Sequence, residues 1–226
     1  MIDLVIFDCD GVLVDSEIIA ARIEADLLTE AGFEITAEEI AETYSGLTFK
    51  DIMLRIEESA GIPFQASLID QAEKLTDKKL ADVRAIEGAR EAIAGIRAPK
   101  AVCSNSTPER LDLMLGATHI KPLFGGNIFS SLATESGKPK PAPDVFLHAA
   151  SLMGARPEKS FVIEDSVHGV RGAKKAGMRV IGFTGAAHTY PGHADALTEA
   201  GAETVIRRHA DLPGVLAALS DWTEDA

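Results

Sequence analysis

Apolar residues follow two rhythms along this chain, and the rhythms are segregated. Near the N-terminus, Leu4–Phe7 form an uninterrupted apolar run, LVIF, rich in strand formers. Such a run predicts a strand buried on both faces. From Ser16 the spacing becomes helical. In SEIIAARIEADLLTEAG, Ile19, Ile23, Leu27 and Leu28 fall on one helical face ahead of Gly32. TAEEIAETY opens with Thr36 and Glu39 in capping-box spacing. TFKDIMLRIEESAG and LIDQAEKLTDKKLADV continue the helical pattern. Residues 16–85 thus read as consecutive helices with almost no strand signal.

After Ile86 the reading alternates. EGAREAIAGI is helical, KAVCSNS strand-like, PERLDLMLG and DVFLHAASLMG helical, and SFVIED a strand. HGVRGAKKAG is helical, RVIGF and AETVI are strands, and LPGVLAALSDW is a last helix. Alternation of this kind predicts a parallel sheet covered on both faces, which the opening strand must join. The expected fold is α/β: a doubly wound parallel sheet of Rossmann type built from residues 1–15 and 86–226. Residues 16–85 are then a helical cap inserted after the first strand.

The 226-residue length suits one domain with such an insertion, and 46% apolar residues suffice for a sizeable core. The net charge of −13, with no block of Lys or Arg, argues against a nucleic-acid or anionic-membrane surface. The cap segment carries much of the excess, with 7 basic against 15 acidic residues. Two cysteines without a CxxC pair make a zinc cluster or disulfide framework unexpected. No run of about 18 uncharged apolar residues occurs, and acid arrives too early for a signal peptide. A cytoplasmic setting is expected.

Candidate chemistry lies where strands stop. LVIF ends in Asp8-Cys9-Asp10-Gly11, AVC in Ser104-Asn105-Ser106, and FVI in Glu164-Asp165-Ser166. In parallel α/β sheets the carboxyl ends of the strands share one edge, where ligands bind. Four carboxylates and at least two hydroxyls would converge there, and Lys138 or Lys140 in GKPKPAPD could reach the same edge. Four carboxylates cannot all stay ionised without a counter-charge. An all-oxygen cluster suits Mg²⁺, which favours sites shared with a phosphate. Hydroxyl, backbone N–H and lysine then read as phosphoryl ligands. A lone DxD is usually a solvated turn. The ordered set of strand-DxDG, strand-S, KPxPD and strand-ED is far less common by chance.

FDCDGVLVDSE, VCSNS, KPAPDVF and VIEDSVHGV resemble, in order and over nearly the whole chain, the four motifs of the haloacid dehalogenase superfamily. The resemblance is to its phosphatase and phosphomutase branch with a helical cap. It implies that Asp8 is the nucleophile that becomes an aspartyl phosphate. Asp10 would be the general acid/base, with its backbone carbonyl on the metal. Ser104 matches the phosphate-binding hydroxyl, with Asn105 beside it, and Lys140 matches the motif lysine because it heads Lys140-Pro141-Ala142-Pro143-Asp144. Asp165 matches the Mg²⁺ ligand, with Glu164 as ligand or neighbour, and Gly11 to Val14 match the segment that loops toward the cap. Asp10 would then have to hold a proton for the leaving alkoxide and later take one from water.

The departures narrow the branch. True dehalogenases and phosphonatases lack an acid where Asp10 stands. β-Phosphoglucomutase carries a His where this chain has Ala20, and a cap Arg where it has Phe49 beside Lys50. The Asp15-Ser16-Glu17 triplet resembles instead the sugar-phosphate phosphatases. The expectation is a Mg²⁺-dependent phosphatase of a small phosphate ester, a sugar or sugar-acid phosphate, working as a monomer or weak dimer. Glu17, Lys50 and Arg55 are candidate cap contacts to substrate. Rivals are a phosphomutase and a non-enzymatic phosphoryl-accepting domain. Cys9 and Cys103 are expected as packing, His168 at a helix start, and His188 and His193 in a solvated loop.

Overall fold

The apolar runs become six parallel strands: β1 (Leu4–Phe7), β2 (Lys100–Ser104), β3 (Ile128–Ser130), β4 (Ser160–Glu164), β5 (Arg179–Phe183) and β6 (Thr204–Ile206). They pair in the order β3-β2-β1-β4-β5-β6, with Ile6 opposite Ala101 on one side and Val162 on the other. The structure, a computed structural model, describes residues 1–44 and 47–221. Trp222, placed by its sequence in the last helix, lies outside them.

Because strand side chains alternate, β1 feeds two cores. Val5 and Phe7 join Val102, Ile163 and Ile181 on one face. That face is covered by α5 (Ala89–Gly95), α6 (Pro108–Ala117) and α10 (Leu212–Asp221). Leu4 and Ile6 join Ala101, Cys103, Val162 and Val180 on the other. There the cover is α7 (Asp144–Leu152), α8 (Val167–Lys175) and α9 (His193–Ala200). The continuous run in β1 is explained by burial on both faces.

Between β1 and α5 come α1 (Glu17–Glu30), α2 (Ala37–Thr43), α3 (Phe49–Ala60) and α4 (Ser67–Lys79). Their apolar faces bury a separate cluster around Leu28, Ile40, Ile52, Met53 and Ile56. Thr36 and Glu39 close the anticipated capping box on α2. The two passages between sheet and helices run side by side: Val14 bridges Ala85 antiparallel, and Asp15 N–H donates to the Arg84 carbonyl at 3.0 Å.

Two elements carried no usable sequence signal. β3 is a three-residue edge strand following Gly125-Gly126, too short for periodicity. Helix α9 begins at His193 and buries only His193 and Leu197, so its apolar face is almost blank.

Candidate active site

The strand order reverses between β1 and β4, and the crevice outside the carboxyl ends at such a switch point is where open α/β sheets take ligands. Asp8 directly follows β1, Glu164 ends β4 with Asp165 behind it, and Ser104 ends the neighbouring β2. Three segments distant in sequence are thereby carried to one crevice.

Lys140 is at its centre. Its ammonium bonds Asp8 Oδ1 and, at 2.6 Å, Glu164 Oε1, and it lies 5.2 Å from the Phe146 ring centroid. The backbone is pinned as well, because Lys140 N–H donates to Asn105 Oδ1 at 2.8 Å and Ser131 Oγ donates to the same oxygen at 2.9 Å. Lys140 is buried whereas Lys138 is exposed, so the ammonium in the crevice is that of Lys140. Glu164 is fully buried, and its other oxygen accepts from Ser166 N–H and Ser166 Oγ, each at 2.9 Å. That carboxylate lies against the first turn of α8, where a Cβ on Gly169 would come within 1.7 Å of it. Burial alone would push the Lys140 ammonium down, but Asp8 and Glu164 outweigh it and hold it up. Burial pushes the Asp8 carboxyl well up, and Glu164, Asp165 and Asp10 add to this, against the pull of Lys140. One ammonium among these carboxylates leaves the crevice short of positive charge.

Asp10 is held by hydroxyls. Oδ1 accepts from Ser16 Oγ at 2.7 Å, and Oδ2 from Ser104 Oγ at 3.1 Å and Ser106 Oγ at 2.8 Å. Ser16 is the N-cap residue of α1 but caps no helical N–H with its side chain, which serves Asp10 instead. Gly11 follows with φ +73°, and a Cβ there would lie 1.8 Å from Asp165 Oδ2 and 2.7 Å from His188 Cε1. Only glycine both accepts that conformation and clears the neighbouring side chains.

Asp8, Glu164 and Asp165 each offer an oxygen within 4.8 Å of the others, all from buried residues. Among the described residues, Asp8 Oδ2 and Asp165 Oδ1 take no hydrogen bond. Hard oxygen donors with unspent lone pairs and a charge deficit fit a small divalent cation such as Mg²⁺. Glu164, bonded through both oxygens, serves chiefly to hold Lys140.

The expectation that His188 and His193 are solvated is overturned. His193 is buried, with Nε2 2.6 Å from the Asp165 carbonyl oxygen, and His188 Nε2 lies 3.1 Å from Asp165 Oδ2. Both flank Asp165 because the loop after β5 folds back over the end of β4. A loop has no periodicity to advertise this; only the Gly- and His-rich composition of GAAHTYPGH marked the segment. His168 does sit in the first turn of α8, exposed, and Cys9 and Cys103 are fully buried.

Glu17 is the first residue of α1; part of its surface reaches solvent, while the enclosure that matters is the protein crowding its carboxyl. That enclosure first, then Asp10 and Asp165, with His188 opposing, pushes its carboxyl up to about 7. It is electrostatically part of the crevice, though without a hydrogen bond among the described residues. Lys50 and Arg55 are exposed on α3 and bond nothing in the crevice, and Phe49 is buried in the helical cluster.

A doubly wound parallel sheet with carboxylates, a buried ammonium and clustered hydroxyls at its switch point defines an α/β enzyme that handles anionic ligands. More particularly, the chain belongs to the haloacid dehalogenase-like hydrolase family, whose model matches residues 5–183. Among relatives, it is 30% identical to a 6-phosphogluconate phosphatase of Escherichia coli over 192 residues, 84% of this chain and 86% of that one. A phosphorylated carbohydrates phosphatase of Thermotoga maritima is 29% identical over 219 residues, 91% and 94% of the two chains. A solved haloacid dehalogenase-like protein of unknown function from Agrobacterium tumefaciens is 54% identical, with a TM-score of 0.94 over 97% of this chain and 100% of that one. A hydrolase of the same family from Deinococcus radiodurans, with bound phosphate and sodium, is 34% identical, with a TM-score of 0.86 over 96% of each chain.

Proposed function

We propose that this chain is a Mg²⁺-dependent phosphatase that hydrolyses a small phosphorylated metabolite, a sugar or sugar-acid phosphate, through an aspartyl phosphate on Asp8. The observation that carries the reading is the Lys140 ammonium bridging Asp8 and Glu164, with Asp165 alongside, at the switch point of the sheet. The carbohydrate-phosphate phosphatases among its relatives support the substrate class.

In this reading Asp8 and Asp165 hold the cation, with the Asp10 backbone carbonyl, and Glu164 next to them. When bound, Mg²⁺ supplies positive charge for the approach of one anion to another and for charge spreading over the transferring group. The rest is the work of the chain. An Asp8 carboxylate oxygen attacks phosphorus as the ester P–O bond breaks. Asp10 gives its proton to the departing alkoxide. It then takes a proton from a water whose oxygen attacks the phosphorus of the aspartyl phosphate, releasing inorganic phosphate and restoring Asp8. Hydroxyls both donate and accept, so the shell of Ser16, Ser104 and Ser106 can rotate to suit Asp10 in either protonation state. Ser104, Asn105 and Lys140 border the phosphoryl oxygens. The helices of residues 16–85 act as a cap that excludes water and brings Glu17 to the substrate. The enzyme would work in the cytoplasm, as a monomer or weak dimer.

The test is phosphate release from a panel of sugar and sugar-acid phosphates with Mg²⁺ or with EDTA. Release that needs the cation is expected, and equal rates with chelator overturn its role. Conversion of β-glucose 1-phosphate to glucose 6-phosphate with little free phosphate would make the enzyme a mutase. A long-lived phosphorylated protein without turnover would make it a phosphoryl acceptor.

A further inference from the structure

Asp165 is gripped by a segment that none of the four motifs contains. Between β5 and α9, Ala187 N–H donates to Asp15 Oδ1 at 3.1 Å, fastening the segment to the passage that leads out of β1. The next residue sends His188 Nε2 to within 3.1 Å of Asp165 Oδ2, with its side chain only 13% exposed. Five residues on, His193 holds the Asp165 carbonyl oxygen and is stacked under Tyr190, with ring centroids 4.5 Å apart and planes 13° apart. His188 and His193 are themselves 5.9 Å apart, centroid to centroid. From the other side Gly11 closes on both Asp165 Oδ2 and His188 Cε1. Asp165 is therefore fixed at its backbone by one histidine and at its carboxylate by another, and only one carboxylate oxygen is left uncommitted.

We propose that His188 is a positioning residue: its Nε2–H anchors Asp165 Oδ2 and thereby presents the opposite oxygen to the divalent cation beside Asp8. Orientation of a ligating carboxylate by a hydrogen-bond donor outside the ligand set is a general determinant of metal affinity. The contact does not depend on the charge of the ring, since Nε2–H is present in the imidazolium and in one neutral tautomer alike. The inference rests on Asp165 being a cation ligand, and the experiment separates the two claims.

Binding of Mn²⁺ alone, without substrate, is measured on the full chain by the loss of the free-ion electron paramagnetic resonance signal. The proteins are wild type, Asp165→Asn, His188→Leu and His188→Gln. Leucine fills the space of the ring without a donor, whereas the glutamine amide offers an N–H at about the reach of Nε2. His188→Leu is expected to lose about tenfold or more in Mn²⁺ affinity, and His188→Gln to recover most of it. A residue that merely packs would make the two variants equal. If wild type binds no Mn²⁺, or Asp165→Asn binds as wild type does, the cation site itself is wrong and the inference goes with it. If Asp165→Asn loses the ion but His188→Leu binds like wild type, or His188→Leu and His188→Gln are weakened alike, the positioning role alone is overturned.

Discussion

The sheet edge and the first cap helix both carry acid, but they treat it differently. At the edge, Asp8, Asp10 and Glu164 are tied by buried ammonium, hydroxyl and backbone donors. On α1, Glu17 and Glu24, two turns apart on one face, take no hydrogen bond among the described residues. Burial and then Glu17 push the half-buried Glu24 carboxyl up to about 7. The difference teaches a division of labour. In the proposed mechanism, the groups that meet the reacting atom are fixed before substrate arrives, so no reorganisation is needed during the reaction. Glu17 and Glu24 on α1 have no such partners among the described residues, and a ligand can change their environment.

The largest effect should come from the fixed side. Asp8→Asn keeps the shape of the site and is expected to cut phosphate release by about a thousandfold or more. Substrate binding, read by calorimetry, should survive, because the cap is untouched. Residual turnover within tenfold of wild type would remove Asp8 as nucleophile. Next comes Lys140→Ala, which strands Asp8 and Glu164 without their shared cation. Breaking a buried ion pair in this way costs about 3–5 kcal/mol, and for a chain of this size that lowers the melting temperature by about 10 °C. A shift of only two or three degrees would mean that the edge is less interlocked than its hydrogen bonds imply.

Gly11→Ala is a milder test of the same rigidity. The added methyl meets Asp165 Oδ2 at 1.8 Å and must take up φ +73°. We expect a loss of about 1–3 kcal/mol from the strained backbone and the displaced side chain, read by urea titration. Cation affinity should fall with it, because the Asp165 carboxylate is what must move. A variant of unchanged stability and affinity would show that the edge can relax.

How much of this was legible before the fold was known follows from what makes a signal. Asp8, Ser104 and Glu164-Asp165 each interrupt an apolar run at a strand end, and one shared edge follows from parallel topology alone. Lys140 and Lys138 both precede proline; the Lys140-Pro141-Ala142-Pro143-Asp144 pattern favours Lys140, and burial against Asp8 decides between them. His188 was assigned to solvent because its loop has no periodicity and its partner Asp165 lies in another strand-to-helix turn. The short β3 and the nearly featureless α9 escaped for the same reason: tertiary contacts, not local pattern, define them. The helices of residues 16–85 were readable from their periodicity, but which of their side chains face Asp8 depends on tertiary packing that no local pattern records.

The smallest expected effect belongs to the cap and fixes the sign of the comparison. Glu24 holds its proton up to about pH 7 when folded, against the ordinary carboxylate value near 4.5. Between those limits the folded chain binds more protons than the unfolded one, so stability falls as pH rises through the window and levels off above it. Glu24→Gln removes the titration. The variant should match wild type at pH 4 and exceed it at pH 8 by roughly 1 kcal/mol once solvent screening is allowed for, or about 2–4 °C in melting temperature. The gain must be absent from Lys140→Ala, whose deficit comes from removing the one ammonium that Asp8 and Glu164 share. If Glu24→Gln were less stable than wild type at pH 8, the cap carboxylates would be held by partners as firmly as those at the sheet edge, and the contrast between the two regions would fail.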